Sequence, residues 1–346
     1  MNGKFISLLY YLILTACCCI SKREDKNTNT RIYGQQNAIW SESIYLRGYQ
    51  PTTKEKLTDE QVIRYANLLK KNNIKFAYLF AGPYSKTGNL PEYAFSETAS
   101  KSIALIKKCY PELIVLPWIG GVQNSTVNLG DSIWVENALN DTQKLISFLN
   151  VSGVHIDFEY ILPGDRYLDS TTEAEKPGDK EAYAMLVNEF HRRLRELNPS
   201  AFISSVVACT APEAKQWKQK TSIKELKELN KYVDQISFLF YDTSIGSQKE
   251  FENACRNQLA DIEILRKSQR NRNCQYLFAI GTFINREELQ KYRDLDIENI
   301  VNTLNTLKNE IKNIKQPQNV SGIAIFCDWE TDQSEWDQIY ENWTGI

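Results

Sequence analysis

The stretch Gly153-Val-His-Ile-Asp-Phe-Glu-Tyr160 reads as a short apolar strand that carries one histidine and two carboxylates. Side chains alternate between the two faces of a strand, so His155, Asp157 and Glu159 share one face and the apolar residues share the other. Two neighbouring carboxylates resist ionising together, and each raises the pKa of the other. The pattern favours a general acid, although a loop cap or a structural cation site at a strand end would use the same pair.

Short apolar runs alternate with longer amphipathic ones on both sides of this stretch. Strands are predicted at Ile44–Tyr49, Ile74–Phe80, Leu113–Trp118, Gly153–Tyr160, Phe202–Ala208, Gln235–Tyr241, Tyr276–Gly281 and Gly322–Cys327. Helices are predicted at Asp59–Lys71, Glu97–Cys109, Ile133–Leu149, Lys180–Leu197, Ile223–Lys231, Glu250–Lys267, Ile297–Ile314 and Ser334–Trp343. Eight strands, each followed by a helix, predict an α/β fold with a single (β/α)8 TIM barrel over residues 43–346. An open doubly wound sheet shares this alternation, but the chain has no G-x-G-x-x-G after the first strand and no G-x-x-x-x-G-K-[ST].

The first 19 residues have the features of an export signal. A lysine near the start precedes an apolar run over Phe5–Ile13, which is too short to span a membrane. The next residues, Leu14-Thr-Ala-Cys17, resemble a bacterial lipobox, so we expect Cys17 to be lipidated. Residues 20–42 are polar and unpatterned and are predicted to be a flexible tether. The expected location is the bacterial cell envelope, with the protein held on a membrane by its lipid.

Composition excludes several other classes of protein. The chain has 346 residues, 42% of them hydrophobic, and a formal net charge of -2, so it can bury a full core. Basic residues are mixed with acidic ones on amphipathic segments such as Lys218–Lys231, so no nucleic-acid partner is expected. We expect no cofactor, and a monomer.

The cysteines do not form a metal-binding or disulfide-rich pattern. Three of the eight fall in the export segment, and the others are Cys109, Cys209, Cys255, Cys274 and Cys327. With no C-x-x-C among these five and only two histidines in the chain, we expect no metal site. One bridge, between Cys255 and Cys274, is compatible with an exported protein.

The carboxylate strand resembles the fourth barrel strand of the chitinase-like family 18 glycoside hydrolases, which bears the pattern D-G-x-D-x-D-x-E. In that register the last Asp and the Glu are kept as Asp157 and Glu159, while Ser152 and His155 occupy the first two Asp positions. The sixth predicted strand continues into Leu-Phe-Tyr241-Asp242 and is similar to the family's M-x-Y-D, with Leu in place of Met.

Two more strands resemble the same family. In the third, Trp118-Ile-Gly-Gly121 is similar to S-x-G-G, with Trp in place of Ser. In the eighth, Phe326 stands where the family places Trp, and Trp329 follows three residues later and could supply the ring instead. The resemblance extends from Ser43 to the C-terminus.

The resemblance implies substrate-assisted hydrolysis of a β-1,4-linked N-acetylglucosaminide. Glu159 would protonate the leaving oxygen while the 2-acetamido carbonyl attacks its own anomeric carbon. Asp157 would orient the acetamido nitrogen, Tyr241 would hold the carbonyl oxygen, and Asp242 would complete the polar wall. The acid must be protonated near neutral pH while its neighbour stays anionic, and two carboxylates on one strand can divide these roles.

The histidine in place of an Asp leaves the function open. In the family, that Asp shares a proton or hydrogen bond with the next Asp. Here His155 can donate to Asp157, and a cationic imidazole would hold Asp157 ionised and restrain its rotation. A core histidine satisfied inside the barrel is the other interpretation. The alternative function is therefore a catalytically inactive barrel that captures glycans containing N-acetylglucosamine, and a purely structural lipoprotein is a third possibility.

Aromatic residues near strand ends can stack on sugar rings. The residues expected to contact substrate are Asp242, His155, Trp118, Trp329, Phe326 and Tyr49. Fewer than forty residues lie between Gly281, where the seventh strand ends, and Val320, near which the eighth begins, so the small α+β domain that larger family members insert there is not expected. A shallow groove favours short or decorated chains, such as the diacetylchitobiose core of N-glycans, chitooligosaccharides or peptidoglycan-type saccharides, over crystalline chitin.

Overall fold

A closed barrel of eight parallel strands forms the centre of the protein. The computed structural model describes residues 34–161, 179–215, 220–268, 273–282 and 292–344. The strands are β1 (Asn37–Ser41), β2 (Ile74–Pro83), β3 (Ile114–Val122), β4 (Gly153–Glu159), β5 (Phe202–Ala208), β6 (Gln235–Leu239), β7 (Gln275–Gly281) and β8 (Gly322–Phe326). Each strand pairs with the next, and β8 pairs with β1. The prediction of a single TIM barrel is confirmed.

Helices connect successive strands and cover the outside of the barrel. They are α1 (Ile44–Arg47), α2 (Asp59–Lys71), α3 (Glu97–Cys109), α4 (Ser132–Phe148), α5 (Lys180–Leu197), α6 (Ile223–Leu229), α7 (Gln248–Ser268), α8 (Ile300–Asn313) and α9 (Gln333–Ile339). Three of these begin with a capping box. The side chains of Thr58, Ser222 and Asp332 each accept a hydrogen bond from the backbone amide three residues later, and the side chain of that later residue accepts one from the backbone amide of the cap. No helix within the described ranges is long and apolar enough to cross a membrane.

The first strand differs from the prediction. Residues 44–47 form helix α1 rather than a strand, and β1 lies at Asn37–Ser41, inside the segment predicted as a tether. Ser43 and Gly48 bracket α1, and Gly48 takes the left-handed conformation (φ 74°) that ends a helix. All five residues of β1 are buried, so this strand lacks the alternation that marks a half-exposed one. The barrel therefore begins before residue 43, the predicted boundary.

A belt of polar side chains crosses the interior of the barrel. Tyr78 of β2 donates to Oε1 of Gln235 on β6 at 2.5 Å, and Nε2 of Gln235 donates to Oε1 of Gln275 on β7 at 2.9 Å. The cysteines at positions 109, 209, 255, 274 and 327 are all free thiols, so the bridge considered between Cys255 and Cys274 is absent.

The connection from β7 to β8 is short. In its described part, residue 282 and residues 292–321, the regular elements are α8 and a 3-10 turn at Pro317–Asn319. The carboxyl end of the barrel, where TIM-barrel enzymes place their chemistry, therefore carries no additional strand in the described part of this connection.

Candidate active site

Strand β4 presents the predicted residues on the inner face of the barrel. His155, Asp157 and Glu159 pair in register with Trp118, Gly120 and Val122 of β3. Gly120 has φ 151°, and a Cβ atom there would lie 1.9 Å from the carbonyl oxygen of Asp157. Only glycine allows β3 to approach β4 this closely at the level of the carboxylate.

The carboxyl group of Asp157 is half-buried and held by one indole. Nε1 of Trp118 donates to Oδ2 of Asp157 at 3.2 Å. Burial raises the pKa of Asp157 from 3.8 to about 6, and the Trp118 hydrogen bond acts in the opposite direction. Asp157 therefore changes ionisation state close to neutral pH. The sequence predicted Trp118 as a sugar platform and did not indicate this polar role.

Glu159 lies at the end of β4 and is half-buried. Its backbone carbonyl accepts a hydrogen bond from the Gln123 amide at 2.9 Å, which ties the end of β4 to the residues that follow β3. A cavity between the end of β4 and helices α5 and α6 is lined by Asp157, Glu159, Tyr183 and Glu225, among others.

His155 is completely buried beneath the carboxylates. Its ring stacks on Tyr78, with ring centroids 3.7 Å apart and planes 6° apart. Nδ1 lies 2.8 Å from Oγ of Ser204, and that hydroxyl donates onward to Oε1 of Gln235 at 2.8 Å. Burial lowers the pKa of His155 well below its usual value, so the imidazole is neutral at physiological pH. It therefore does not hold Asp157 ionised by a positive charge.

An aromatic wall of contacting rings is formed by Trp40, Trp118, Tyr241, Phe326 and Trp329. Tyr241 stacks on Phe326, with centroids 5.4 Å apart and planes 9° apart. The ring of Phe326 meets those of Trp40, Trp118 and Trp329 edge to face, at centroid distances of 5.8, 6.5 and 5.7 Å. Side chains predicted from three separate strands thus converge, and Trp329 stands beside Phe326 rather than in its place.

Asp242 belongs to a buried ionic network. Nε of Arg293 donates to its Oδ1 at 3.0 Å and lies 3.3 Å from Oε1 of Glu298. Glu298 accepts hydrogen bonds from the backbone of Asp242 and, at 3.0 Å, from the amide of Thr243. Burial raises the pKa of Asp242 to about 7, against the opposing effect of Arg293. Sequence reasoning missed Arg293 and Glu298, because neither belongs to a motif.

Tyr49 does not occupy the predicted position. It follows α1 in a loop and pairs with Lys56, and the ammonium of Lys54 lies 5.5 Å from its ring centroid. The described contacts do not join Tyr49 to the aromatic wall. The prediction had placed it at the end of a first strand over Ile44–Tyr49, and the structure forms helix α1 there instead. Cys17 lies outside the described residues. Within those residues, no group of three or more His, Cys, Asp or Glu side chains is arranged to hold a metal ion.

The sequence profile of the family described as Glycosyl hydrolases family 18 matches residues 41–249. No curated protein sequence is significantly similar to the chain.

Solved structures of similar fold include the spore cortex-lytic enzyme SleL of Bacillus cereus, with TM-score 0.57 and 12% identity over 90% of this chain and 75% of that one. The Group IV chitinase of Ostrinia furnacalis has TM-score 0.56 and 12% identity over 89% and 99%. A family 18 N-acetylglucosaminidase of Paenibacillus barengoltzii has TM-score 0.54 and 14% identity over 89% and 100%. At these identities the likeness shows the fold alone, but the profile covers more than half of the chain. The chain therefore belongs to glycoside hydrolase family 18.

Proposed function

We propose that the protein hydrolyses β-1,4-linked N-acetylglucosaminides by a substrate-assisted retaining reaction. The observation that carries the proposal is the shared inner face of β4, on which Asp157 and Glu159 lie two residues apart, in register with Gly120 and Val122 of β3. Family membership supports glycosidase chemistry on sugars that contain N-acetylglucosamine.

In the first step, Glu159 gives its proton to the glycosidic oxygen as the bond from that oxygen to the anomeric carbon breaks. The carbonyl oxygen of the 2-acetamido group forms a bond to the same carbon, which gives an oxazolinium ion and releases the other sugar. Asp157, in its anionic form, accepts a hydrogen bond from the acetamido N–H and stabilises the positive charge. The Tyr241 hydroxyl donates to the acetamido oxygen, as a preorganised dipole aimed at the reacting group.

In the second step, water attacks the anomeric carbon and Glu159 takes a proton from it. The bond to the acetamido oxygen breaks, and the amide is restored. Two inversions at one carbon give net retention, so the first product formed is the β-anomer. No enzyme nucleophile is required, in contrast to the two-carboxylate retaining scheme.

The substrate in this proposal is a short or decorated chain, either the diacetylchitobiose core of an N-glycan or a chitooligosaccharide. The short β7–β8 connection supports such a ligand. The likeness in fold to a family 18 N-acetylglucosaminidase is compatible with it.

The test is product analysis by mass spectrometry. Purified protein is incubated with chitooligosaccharides, a high-mannose glycopeptide and a peptidoglycan-derived saccharide, and the products are examined by proton NMR before mutarotation. The proposal expects cleavage of an N-acetylglucosaminyl-β-1,4 bond with a β-configured product. An initial α-product would contradict the substrate-assisted mechanism, and no cleavage of any substrate would contradict hydrolysis.

The second candidate function is glycan capture without cleavage. The substitution that favours it is His155, a neutral imidazole where the family has an acidic residue. Saturable binding of a glycan, measured by calorimetry and without any product after prolonged incubation, would support capture over hydrolysis.

The proposal includes an exported, monomeric, lipid-anchored protein. The apolar run Phe5–Ile13 and the small residues before Cys17 support the anchor. Metabolic labelling with radioactive palmitate in a bacterial host tests it, with Cys18→Ser as the matched control. Labelling that survives Cys17→Ser would contradict the assignment of Cys17, and light scattering on the detergent-solubilised protein would test the monomer.

A further inference from the structure

The amino end of the barrel carries a group of five lysines, which we call the lysine face. Helix α2 ends in Lys70 and Lys71, the last turn of α3 contains Lys107 and Lys108, and Lys75 is the second residue of β2. In a barrel of parallel strands the helices run back against the strands, so each helix finishes at the end where the strands begin. The five lysines therefore lie at the end of the barrel opposite the candidate active site.

Contacts between neighbouring elements show that these side chains form one surface. The ammonium of Lys75 lies 5.7 Å from the ring centroid of Tyr110, the residue that follows α3. The ammonium of Lys107 donates to the carbonyl oxygen of Asn150, in the turn before β4, at 2.7 Å. The lysine face thus crosses the amino ends of β2, β3 and β4.

Tyr340 extends this surface to the point where the chain enters the barrel. Its side chain is 39% exposed, and its ring centroid lies 5.9 Å from the ammonium of Lys71. Three residues later, the indole of Trp343 donates to Oδ1 of Asn37, the first residue of β1, at 3.0 Å. Gly34, the first residue of the described ranges, lies against the same indole. The residues before Gly34 are therefore joined to the barrel beside the lysine face.

The charge of this surface is positive. Residues 34–37, 70–75, 107–113 and 340–344 contain five lysines and two carboxylates, Glu112 and Glu341. All five lysines are exposed or partly exposed. The helix dipole favours cations in the last turn of a helix, which is a structural reason for four of the five. It does not account for Lys75, which lies in β2.

Further cations lie at the amino end on the other side of β1, where α7 and α8 end. Residues 266–268 and 312–321 contain no carboxylate, and their cations are Arg266, Lys267, Lys312 and Lys315. Lys267 pairs with Glu263, one turn earlier in α7, at 2.7 Å.

The carboxyl end of the barrel has the opposite charge around the same strands. The first turns of α2, α3 and α9 contain Asp59, Glu60, Glu97 and Glu335. The residues that follow β1 and β8 include Glu42, Asp328, Glu330 and Asp332. An anionic surface therefore attracts the amino end and repels the end that holds the candidate active site.

We propose that the lysine face is a docking surface for a bilayer that contains anionic phospholipid. Ammonium groups bind such a bilayer through its negative surface potential, and a tyrosine ring suits the headgroup region because it has an apolar body and a polar hydroxyl. Tyr340 beside Lys71 supplies such a ring. A lipid at Cys17, which is part of the proposed function, would be joined to the barrel at this same end. One lipid anchor and one basic surface together hold a protein on a membrane more firmly than either alone.

Docking at this end points the mouth of the barrel away from the bilayer. The substrate is then a glycan in the surrounding medium, rather than one linked to lipids of the same bilayer. This consequence for the substrate rests on the proposed function, whereas the docking itself does not.

The test is co-sedimentation of the full-length chain with vesicles, in the Cys17→Ser form that carries no lipid at that position. Vesicles of phosphatidylcholine alone are compared with vesicles that also contain phosphatidylglycerol. We expect binding to the anionic vesicles to exceed binding to the neutral ones by at least about tenfold, and the excess to disappear between about 0.1 M and about 1 M salt. The neutral vesicles control for the apolar run Phe5–Ile13, because its binding does not depend on lipid charge. Equal binding to both kinds of vesicle would overturn the inference.

Two variants with the same net charge separate the lysine face from charge in general. The first combines Lys70→Gln, Lys71→Gln, Lys75→Gln, Lys107→Gln and Lys108→Gln. The control combines substitutions of exposed lysines at the carboxyl end, namely Lys54→Gln, Lys56→Gln, Lys86→Gln, Lys224→Gln and Lys249→Gln. We expect the first variant to lose the excess on anionic vesicles and the control to keep it. Equal losses in the two variants would mean that net charge alone drives binding, and would overturn the inference.

A smaller variant guards against an effect on folding. Lys70→Gln combined with Lys108→Gln changes two exposed side chains and leaves the hydrogen bond from Lys107 to Asn150 in place. We expect an intermediate loss, and an unchanged excess would contradict the proposal. Wild-type binding to heparin without binding to the anionic vesicles would assign the lysines to an acidic polysaccharide instead, and would also overturn it. Because the experiment needs neither a glycan substrate nor a lipid anchor, its result is independent of whether the proposed function holds.

Discussion

The indole nitrogen of Trp118 lies 3.2 Å from Oδ2 of Asp157, so one strand holds the carboxylate that the next strand presents. Trp118 is also edge to face with Phe80, with ring centroids 4.6 Å apart, which fixes the indole at the barrel mouth. A single aromatic side chain therefore positions the carboxyl group of Asp157 and forms part of the aromatic wall.

Trp118→Phe should raise the pKa of Asp157, because it removes a donor that stabilises the carboxylate. Asp157 must be anionic to face the acetamido group, so the acid limb of kcat/KM should move to higher pH by up to about one unit. The control is Trp134→Phe, since that indole donates to the Ser85 carbonyl at 3.1 Å, away from the carboxylates. An unchanged or lower limb in Trp118→Phe would show that the hydrogen bond does not act on Asp157.

Asp157→Asn should stabilise the protein at alkaline pH. The pKa of this carboxyl is about 6 in the folded protein and 3.8 in the unfolded chain, so between these values the native state binds more protons. The protonated carboxyl group of Asp157 therefore does not oppose folding below about pH 4. As the pH rises through about 6 the group ionises, and the free energy of unfolding falls. Above that pH the wild type should be less stable than Asp157→Asn by about 3 kcal/mol, at about 1.4 kcal/mol per pKa unit.

Urea denaturation at about pH 8 and about pH 4 measures this difference. The gap between wild type and Asp157→Asn should shrink at the lower pH. A gap that is equal at both pH values would mean that burial does not raise the pKa of Asp157.

Tyr241→Phe should impair turnover with little effect on folding. The substitution keeps the ring that stacks on Phe326 and removes only the hydroxyl. Loss of one preorganised donor to a reacting oxygen lowers kcat by about 10²–10³-fold. Steady-state kinetics and thermal melting give the two readouts, and Tyr340→Phe at an exposed ring is the control. A wild-type kcat in Tyr241→Phe would remove this tyrosine from the mechanism.

Arg293→Ala should destabilise the protein strongly. The guanidinium is 3% exposed, and its Nε lies 3.0 Å from the buried carboxyl group of Asp242 and 3.3 Å from that of Glu298. Removing one partner of a buried ion pair costs about 3–5 kcal/mol, because the remaining charge is buried without compensation. Lys101→Ala, in an exposed pair with Glu97, should change the free energy of unfolding by less than about 1 kcal/mol. Equal effects of the two substitutions in urea denaturation would mean that the buried network does not stabilise the fold.

Strong local patterns were sufficient to predict most of the barrel and its carboxylate strand. The helices α2, α3 and α5 and the strand β5 have the predicted bounds, because their periodicity is unbroken from end to end. The residues of β1 are buried on both sides and carry no such pattern, whereas Ile44–Tyr49 has the composition of a strand. That one error also misplaced Tyr49.

Interactions between distant residues limited prediction of the site. The alternation along β4 was enough to place Asp157 and Glu159 on one face. The partners of Asp242 lie 51 and 56 residues further along the chain, and nothing in their neighbourhood marks them as ion-pair residues. The charge state of His155 depends on its burial and its contact with Ser204, which only the folded barrel determines.

The most direct measurement is the rate of glycan hydrolysis by wild type, Glu159→Gln and Glu97→Gln under identical conditions. Glu97 is an exposed residue that controls for loss of a carboxylate elsewhere. If Glu159 is the general acid, its substitution should lower kcat by at least about 10²–10⁴-fold while glycan binding is retained, and Glu97→Gln should behave as wild type. Full activity of Glu159→Gln on every substrate that the wild type cleaves would contradict the proposed mechanism.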